Sequence, residues 1–147
     1  MFFGASSLSL DAKGRISVPT MHHDALMSHA QGQLTVTKHP DGCLMILPRP
    51  EWDVFSAKIS ALSMSPDHMW IKRVFLSNAM FVELDSTGRI LISPELRESS
   101  GISRETTLRG MGRYFELWDK TTYEANELRE TARIKSNGSD ALKDISL

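Results

Sequence analysis

Two stretches of the chain alternate apolar and polar residues with a period of two. Leu8, Leu10, Ile16 and Val18 alternate with Ser9 and Ser17 around Asp11-Ala12-Lys13-Gly14. Val82, Leu84, Ile90 and Ile92 repeat the pattern around Asp85-Ser86-Thr87-Gly88. That period predicts half-buried strands. Glycine supplies the positive φ of a tight loop, and the aspartate can accept amides just downstream. Each stretch therefore reads as a β-hairpin. Further short strands are predicted at Gln33–Thr37, Cys43–Leu47, Thr107–Arg109 and Tyr114–Trp118.

Helices are expected where the spacing lengthens. Ser93 reads as an N-cap with Pro94 in the first helical position and Gly101 as the stop, and Pro19 is assigned the same part in the first half. Pro50 opens a helix whose apolar stripe is Trp52, Phe55, Ile59 and Leu62. Ser65-Pro66-Asp67 caps another, carrying Trp70, Ile71, Val74 and Phe75, and Lys120 to Ile134 reads as the last. Residues 135–147 are polar and small-residue rich, as in a frayed tail.

The chain is internally repeated. Leu8 to Val18 matches Val82 to Ile92 position by position, including Leu-Asp, Gly-Arg-Ile and the closing β-branched residue. Cys43–Pro48 then lines up with Tyr114–Asp119, and Trp52 with Tyr123. The expected organisation is a first unit with its following helix over 1–65, a bridging helix over 66–79, a second unit with a C-terminal helix over 80–134, and the tail. A β unit of this size rarely closes a core alone, so the two copies are expected to pair. The fold class is α+β and β-rich, with one pseudo-symmetric β core and connecting and terminal helices.

Composition adds little. The 147 residues are 41% hydrophobic and 24% charged, with a formal net charge of −1. Nothing global suggests nucleic acid, so local charge must carry that reading. One cysteine, Cys43, excludes an internal disulfide and fits a reducing compartment. With neither a basic–apolar leader over residues 1–10 nor a long apolar run, the expected location is the cytoplasm.

The repeated Asp-x-x-Gly-Arg loop is the main chemical feature. The aspartate can fix the loop by accepting amides or pairing with the arginine, and the glycine allows the turn. The arginine, Arg15 or Arg89, is then held at the strand mouth, where its planar fork suits phosphate or guanine O6 and N7. Lys13 adds charge to the first loop, and Thr87 stands there in the second. The same pattern is also that of a plain turn with an internal ion pair, and the residues alone leave both readings open. His22, His23, His29, His39 and His68 show no paired ligand spacing, Cys43 reads as a buried structural thiol, and no phosphate loop is present. No metal, cofactor or catalytic set is expected, so the chain is not read as an enzyme.

The chain resembles the MraZ family of tandem AbrB-like, swapped-hairpin units. The matching stretches are Met1-Phe2-x-Gly4-Ala5, Leu10-Asp11-x-Lys13-Gly14-Arg15-x-x-Val18-Pro19, Asp41-x-Cys43-Leu44, Pro48-x-x-Glu51-Trp52, Asp85-x-x-Gly88-Arg89-Ile90-x-Ile92 and Phe115-Glu116-Leu117-Trp118-Asp119. The resemblance implies a nucleoid-associated, ring-like homo-oligomer that binds double-stranded DNA at repeated boxes upstream of its own division and cell-wall operon and represses it. It assigns DNA contact to Lys13, Arg15 and Arg89, and loop shaping to Asp11, Gly14, Asp85 and Gly88. The family often carries arginines soon after the proline, where this chain has Thr20-Met21-His22-His23. The rival reading is an AbrB-type antitoxin-like interaction module, which the second unit and short tail argue against.

Overall fold

A computed structural model describes residues 1–136 and 140–145. The chain runs β1 (Ala5–Ser9), β2 (Arg15–Ser17), a 3-10 turn (Thr20–His22), α1 (His23–Ala30), β3 (Gln33–Lys38), β4 (Leu44–Pro48), α2 (Arg49–Ser60) and α3 (Pro66–Phe75). It continues through β5 (Met80–Glu83), β6 (Arg89–Leu91), α4 (Pro94–Ser99), β7 (Glu105–Gly110), β8 (Phe115–Asp119) and α5 (Lys120–Ser136). A 3-10 segment follows at Asp140–Asp144. The frayed tail expected over 135–147 falls partly on 137–139, 146 and 147, which lie outside the described residues. Lys135 and Ser136 belong to α5.

The α+β class is as expected, and so is the exchange of hairpins that the resemblance to swapped-hairpin units implies, whereas the local hairpins read from the period of two do not form. One antiparallel sheet has the order β1-β7-β8-β4-β3-β5, and a separate two-stranded ribbon pairs β2 with β6. Neither β1 with β2 nor β5 with β6 forms a ladder. The first strand of each copy instead pairs with the other copy, Leu8 with Thr106 and Val82 with Leu34. The two units are interleaved, and the copies meet at Leu44↔Leu117 and Ile46↔Phe115. The physical reason lies in strand length. β2 and β6 have three residues each, and an isolated two-stranded ribbon is marginal in water. Exchange sets Ile16 opposite Ile90, with both side chains fully buried over the common core. Burying such a side chain contributes about 1.5–3 kcal/mol.

β4 is buried along its whole length because both faces are covered. Leu44 and Ile46 join the main core with Ile16, Leu34, Val36, Ile90, Ile92 and Leu117. Met45 and Leu47 face a second cluster with Trp52 of α2, against which Phe55, Phe75 and Tyr114 pack. The helix signals largely hold. Ser65 and Ser93 each accept a backbone N–H, from His68 and Leu96, with Pro66 and Pro94 in the first turn. Pro19 is the exception, because it precedes the 3-10 turn instead of opening a helix. The repeat itself explains this: Pro19 stands in register with Ser93, one position before Pro94.

Candidate nucleic-acid interface

Both Asp-x-x-Gly-Arg loops are tight turns built from the same bonds. In the first, the Asp11 amide donates to Arg15 O at 2.9 Å and the Gly14 amide to Asp11 O at 3.0 Å. Asp11 Oδ1 accepts the amides of Lys13 and Arg15, each at 2.9 Å, and Oδ2 accepts Arg15 Nε at 2.8 Å. In the second, Asp85 Oδ1 accepts the Thr87 amide, the Thr87 hydroxyl and the Arg89 amide, and Oδ2 accepts Arg89 Nε at 3.0 Å. The aspartate therefore does both jobs that the residues left open. It shapes the loop and anchors the arginine.

These bonds favour the charged carboxylates. The Arg15 amide, followed by that arginine's side chain and the Lys13 amide, holds Asp11 below the usual carboxylate range against some desolvation. Asp85 is held lower still, first by the Arg89 amide and then by the bonds from Thr87. Each arginine is anchored through Nε. Among the described residues its terminal nitrogens make no hydrogen bond to protein, and the charge nearest them is Asp11 Oδ2, 4.0 Å from Arg89 Nη1.

The exchanged strands set the loops side by side. The Val18 amide donates to Gly88 O and the Ile92 amide to Gly14 O, each at 2.9 Å, so each loop glycine is tied to the other copy. Arg89 Nη1 lies 4.0 Å from Asp11 Oδ2, an ion pair between the loops. Arg15 stands opposite Leu91 and Arg89 opposite Ser17 on the ribbon, while the alternating positions Ile16 and Ile90 point into the core. One face of the ribbon is thus apolar and buried, and the other carries both arginines, partly exposed. Lys13 is exposed at the first loop's tip.

The packing of His23 and Arg97 behind the loops is not expressed by the apolar–polar pattern of the sequence. A Cβ added to Gly14 would lie 2.8 Å from Arg97 Cζ, and one added to Gly88 would lie 2.3 Å from His23 Cε1. Gly14 and Gly88 have φ of +82° and +78°, so their glycine identity serves both the turn and these close approaches. His23 and Arg97 hold matched positions after the repeat, each pressed on the opposite loop. That match was the available signal. Nor did the absence of paired histidine spacing anticipate a second cluster, in which His39, Cys43 and Glu116 meet far from the loops along the chain.

Comparison with known proteins identifies the family. The profile of the family described as "MraZ protein, putative antitoxin-like" matches residues 1–73 and again 75–142. The chain is 61% identical over 146 residues to the transcriptional regulator MraZ of Acidovorax sp. (strain JS42), covering 99% of each. It is 66% identical over 131 residues to the protein of that name from Variovorax paradoxus (strain S110), covering 89% of this chain and 91% of the relative. With Burkholderia cenocepacia (strain HI2424) the identity is 57% over 146 residues. With the doubled loop, the interleaved copies and matches along nearly its whole length, the chain belongs to the MraZ family.

Proposed function

We propose that this protein is a transcriptional regulator that reads double-stranded DNA through the β2/β6 ribbon and its two loops. The observation that carries this reading is the pairing of Arg15 and Arg89 on one outward ribbon face, each anchored at Nε by its own aspartate. A two-stranded ribbon fits the B-DNA major groove, and an arginine fork suits guanine O6 and N7. Anchoring restricts the arginines before binding, which lowers the cost of ordering them. Lys13 is assigned to phosphate. Asp11, Gly14, Asp85 and Gly88 hold the loops. The names of the close relatives support a role in transcription.

The target we infer is a set of repeated boxes upstream of the protein's own gene, in the division and cell-wall operon, with repression as the outcome and the nucleoid as the place of action. A ring-like homo-oligomer would present several ribbons at once, and linked weak sites gain avidity. Exposed apolar side chains support assembly: Met64 is 81% exposed, Trp70 64% and Phe81 59%. No described helix is long and apolar enough to cross a membrane.

Nuclease protection on the DNA upstream of the gene tests the reading. Protection confined to a few short repeated boxes is expected. Uniform protection, or none, with a small protein co-purifying in stoichiometric amount would favour the antitoxin-like alternative.

A further inference from the structure

The turn between β3 and β4 brings together three side chains that the DNA-facing ribbon does not use. The His39 amide donates to Cys43 O and the Gly42 amide to His39 O, each at 3.0 Å, which closes the turn. Glu116 arrives from β8, opposite Met45 of β4. One ligand-type atom of each of His39, Cys43 and Glu116 lies within 4.8 Å of the other two. His39 Nε2 is 4.0 Å from Glu116 Oε2. Two residues come from the first copy and one from the second, so the cluster spans the seam between them.

The cluster is also supported from outside. Trp118 Nε1 donates to Glu116 Oε1 at 2.9 Å, fixing that carboxylate and leaving Oε2 toward His39. On the far side of the imidazole, His39 Nδ1 accepts the Asp41 amide at 3.0 Å and lies 3.7 Å from Asp41 Oδ2. A carboxylate behind the imidazole is the usual partner of a metal-bound histidine. Cys43 is 2% exposed. His39, but neither Cys43 nor Glu116, lines a cavity of about 670 Å³ with Met45, Phe75 and Tyr114, so the cavity meets the cluster at the imidazole.

We propose that His39 Nε2, Cys43 Sγ and Glu116 Oε2 form a zinc site that ties the two copies together. A thiolate, an imidazole and a carboxylate suit this borderline-soft, tetrahedral ion, with the fourth position left to water from the cavity. Bonds of about 2.0–2.3 Å require the three ligand atoms to close by roughly 1 Å. On binding, the Cys43 thiol gives its proton to solvent. The His39 proton moves from Nε2 to Nδ1, where Asp41 Oδ2 accepts it in place of the bond that the Asp41 amide now makes to Nδ1. The inference is independent of the DNA-binding reading.

Cobalt(II) titration of the full-length, reduced, chelator-treated protein tests it. Cys43 is the only cysteine in the chain, so a thiolate-to-cobalt charge-transfer band reports this site alone. One equivalent of cobalt should produce the band, and one equivalent of zinc should abolish it. Cys43→Ser should remove the band, His39→Gln should weaken binding sharply, and Asp41→Asn should weaken it by about 10–100-fold. Absence of the band in the wild type overturns the site. So does unchanged affinity in His39→Gln, which decides the matter even if Cys43→Ser fails to fold.

Discussion

The two loop glycines provide a sharp perturbation, because their matched turns face different neighbours. Both have positive φ, and an alanine held there costs about 1–2 kcal/mol. At Gly14 the obstacle is the end of Arg97, with Cζ 2.8 Å from the new Cβ. That end is flexible and can move aside, so Gly14→Ala should cost little beyond the backbone strain. At Gly88 the obstacle is the His23 ring, at 2.3 Å. The ring cannot yield without disturbing its 2.7 Å bond to Val18 O, and a lost hydrogen bond costs about 1 kcal/mol. Gly88→Ala should therefore destabilise by about 2–3 kcal/mol, the larger of the two effects. Urea unfolding at one fixed protein concentration measures both, since any assembly makes stability concentration-dependent. Equal losses, or a larger loss at Gly14, would refute the account of how His23 and Arg97 pack behind the loops.

Other consequences follow from the same geometry. Asp11 and Asp85 have carboxyls depressed by folding, so their stabilising contribution is present above the unfolded value of about 3.9 and is lost as pH falls through the folded values. Urea midpoints should therefore fall in acid, and Asp11→Asn with Asp85→Asn should flatten that acid limb. An unaltered limb would contradict the loop bonds. Ile16→Ala should cost about 2–5 kcal/mol, because its fully buried side chain crosses Ile90 at the exchange. A loss below 1 kcal/mol in chemical unfolding would place the ribbon outside the cooperative core. Lys13→Ala should reduce the log–log salt slope of DNA binding by about 0.9 per chain engaged while leaving sequence preference unchanged. A change of preference would make Lys13 a base reader.

Local features were legible in the sequence because short-range chemistry fixes them. Aspartate, glycine and arginine at fixed offsets dictate the loop bonds, and Ser65-Pro66 and Ser93-Pro94 dictate two helix starts. Strand partners were not legible in the apolar–polar pattern, and only the resemblance to swapped-hairpin units implied the exchange. A period of two says which face of Leu8 or Val82 is buried, but it is equally satisfied by a neighbour close in sequence and by one in the other copy. The exchange is decided by setting Ile16 opposite Ile90 over the common core, a pairing that no local pattern expresses. The same limit hid His23 behind Gly88 and Arg97 behind Gly14, since each contact joins the two copies. Histidine spacing was a poor guide to the His39–Cys43–Glu116 cluster for a related reason: two members share one turn, and the third comes from a strand paired across the seam.

The central claim is that the two ribbon arginines read DNA sequence. Fluorescence anisotropy with DNA from upstream of the gene and a scrambled competitor, at two salt concentrations, tests it most directly for wild type, Arg15→Ala and Arg89→Ala. The account predicts that each variant stays folded and assembled yet loses about 1–3 kcal/mol of discrimination per arginine. Preference for the native DNA that survives both substitutions would contradict it, and would leave the doubled loop as architecture alone.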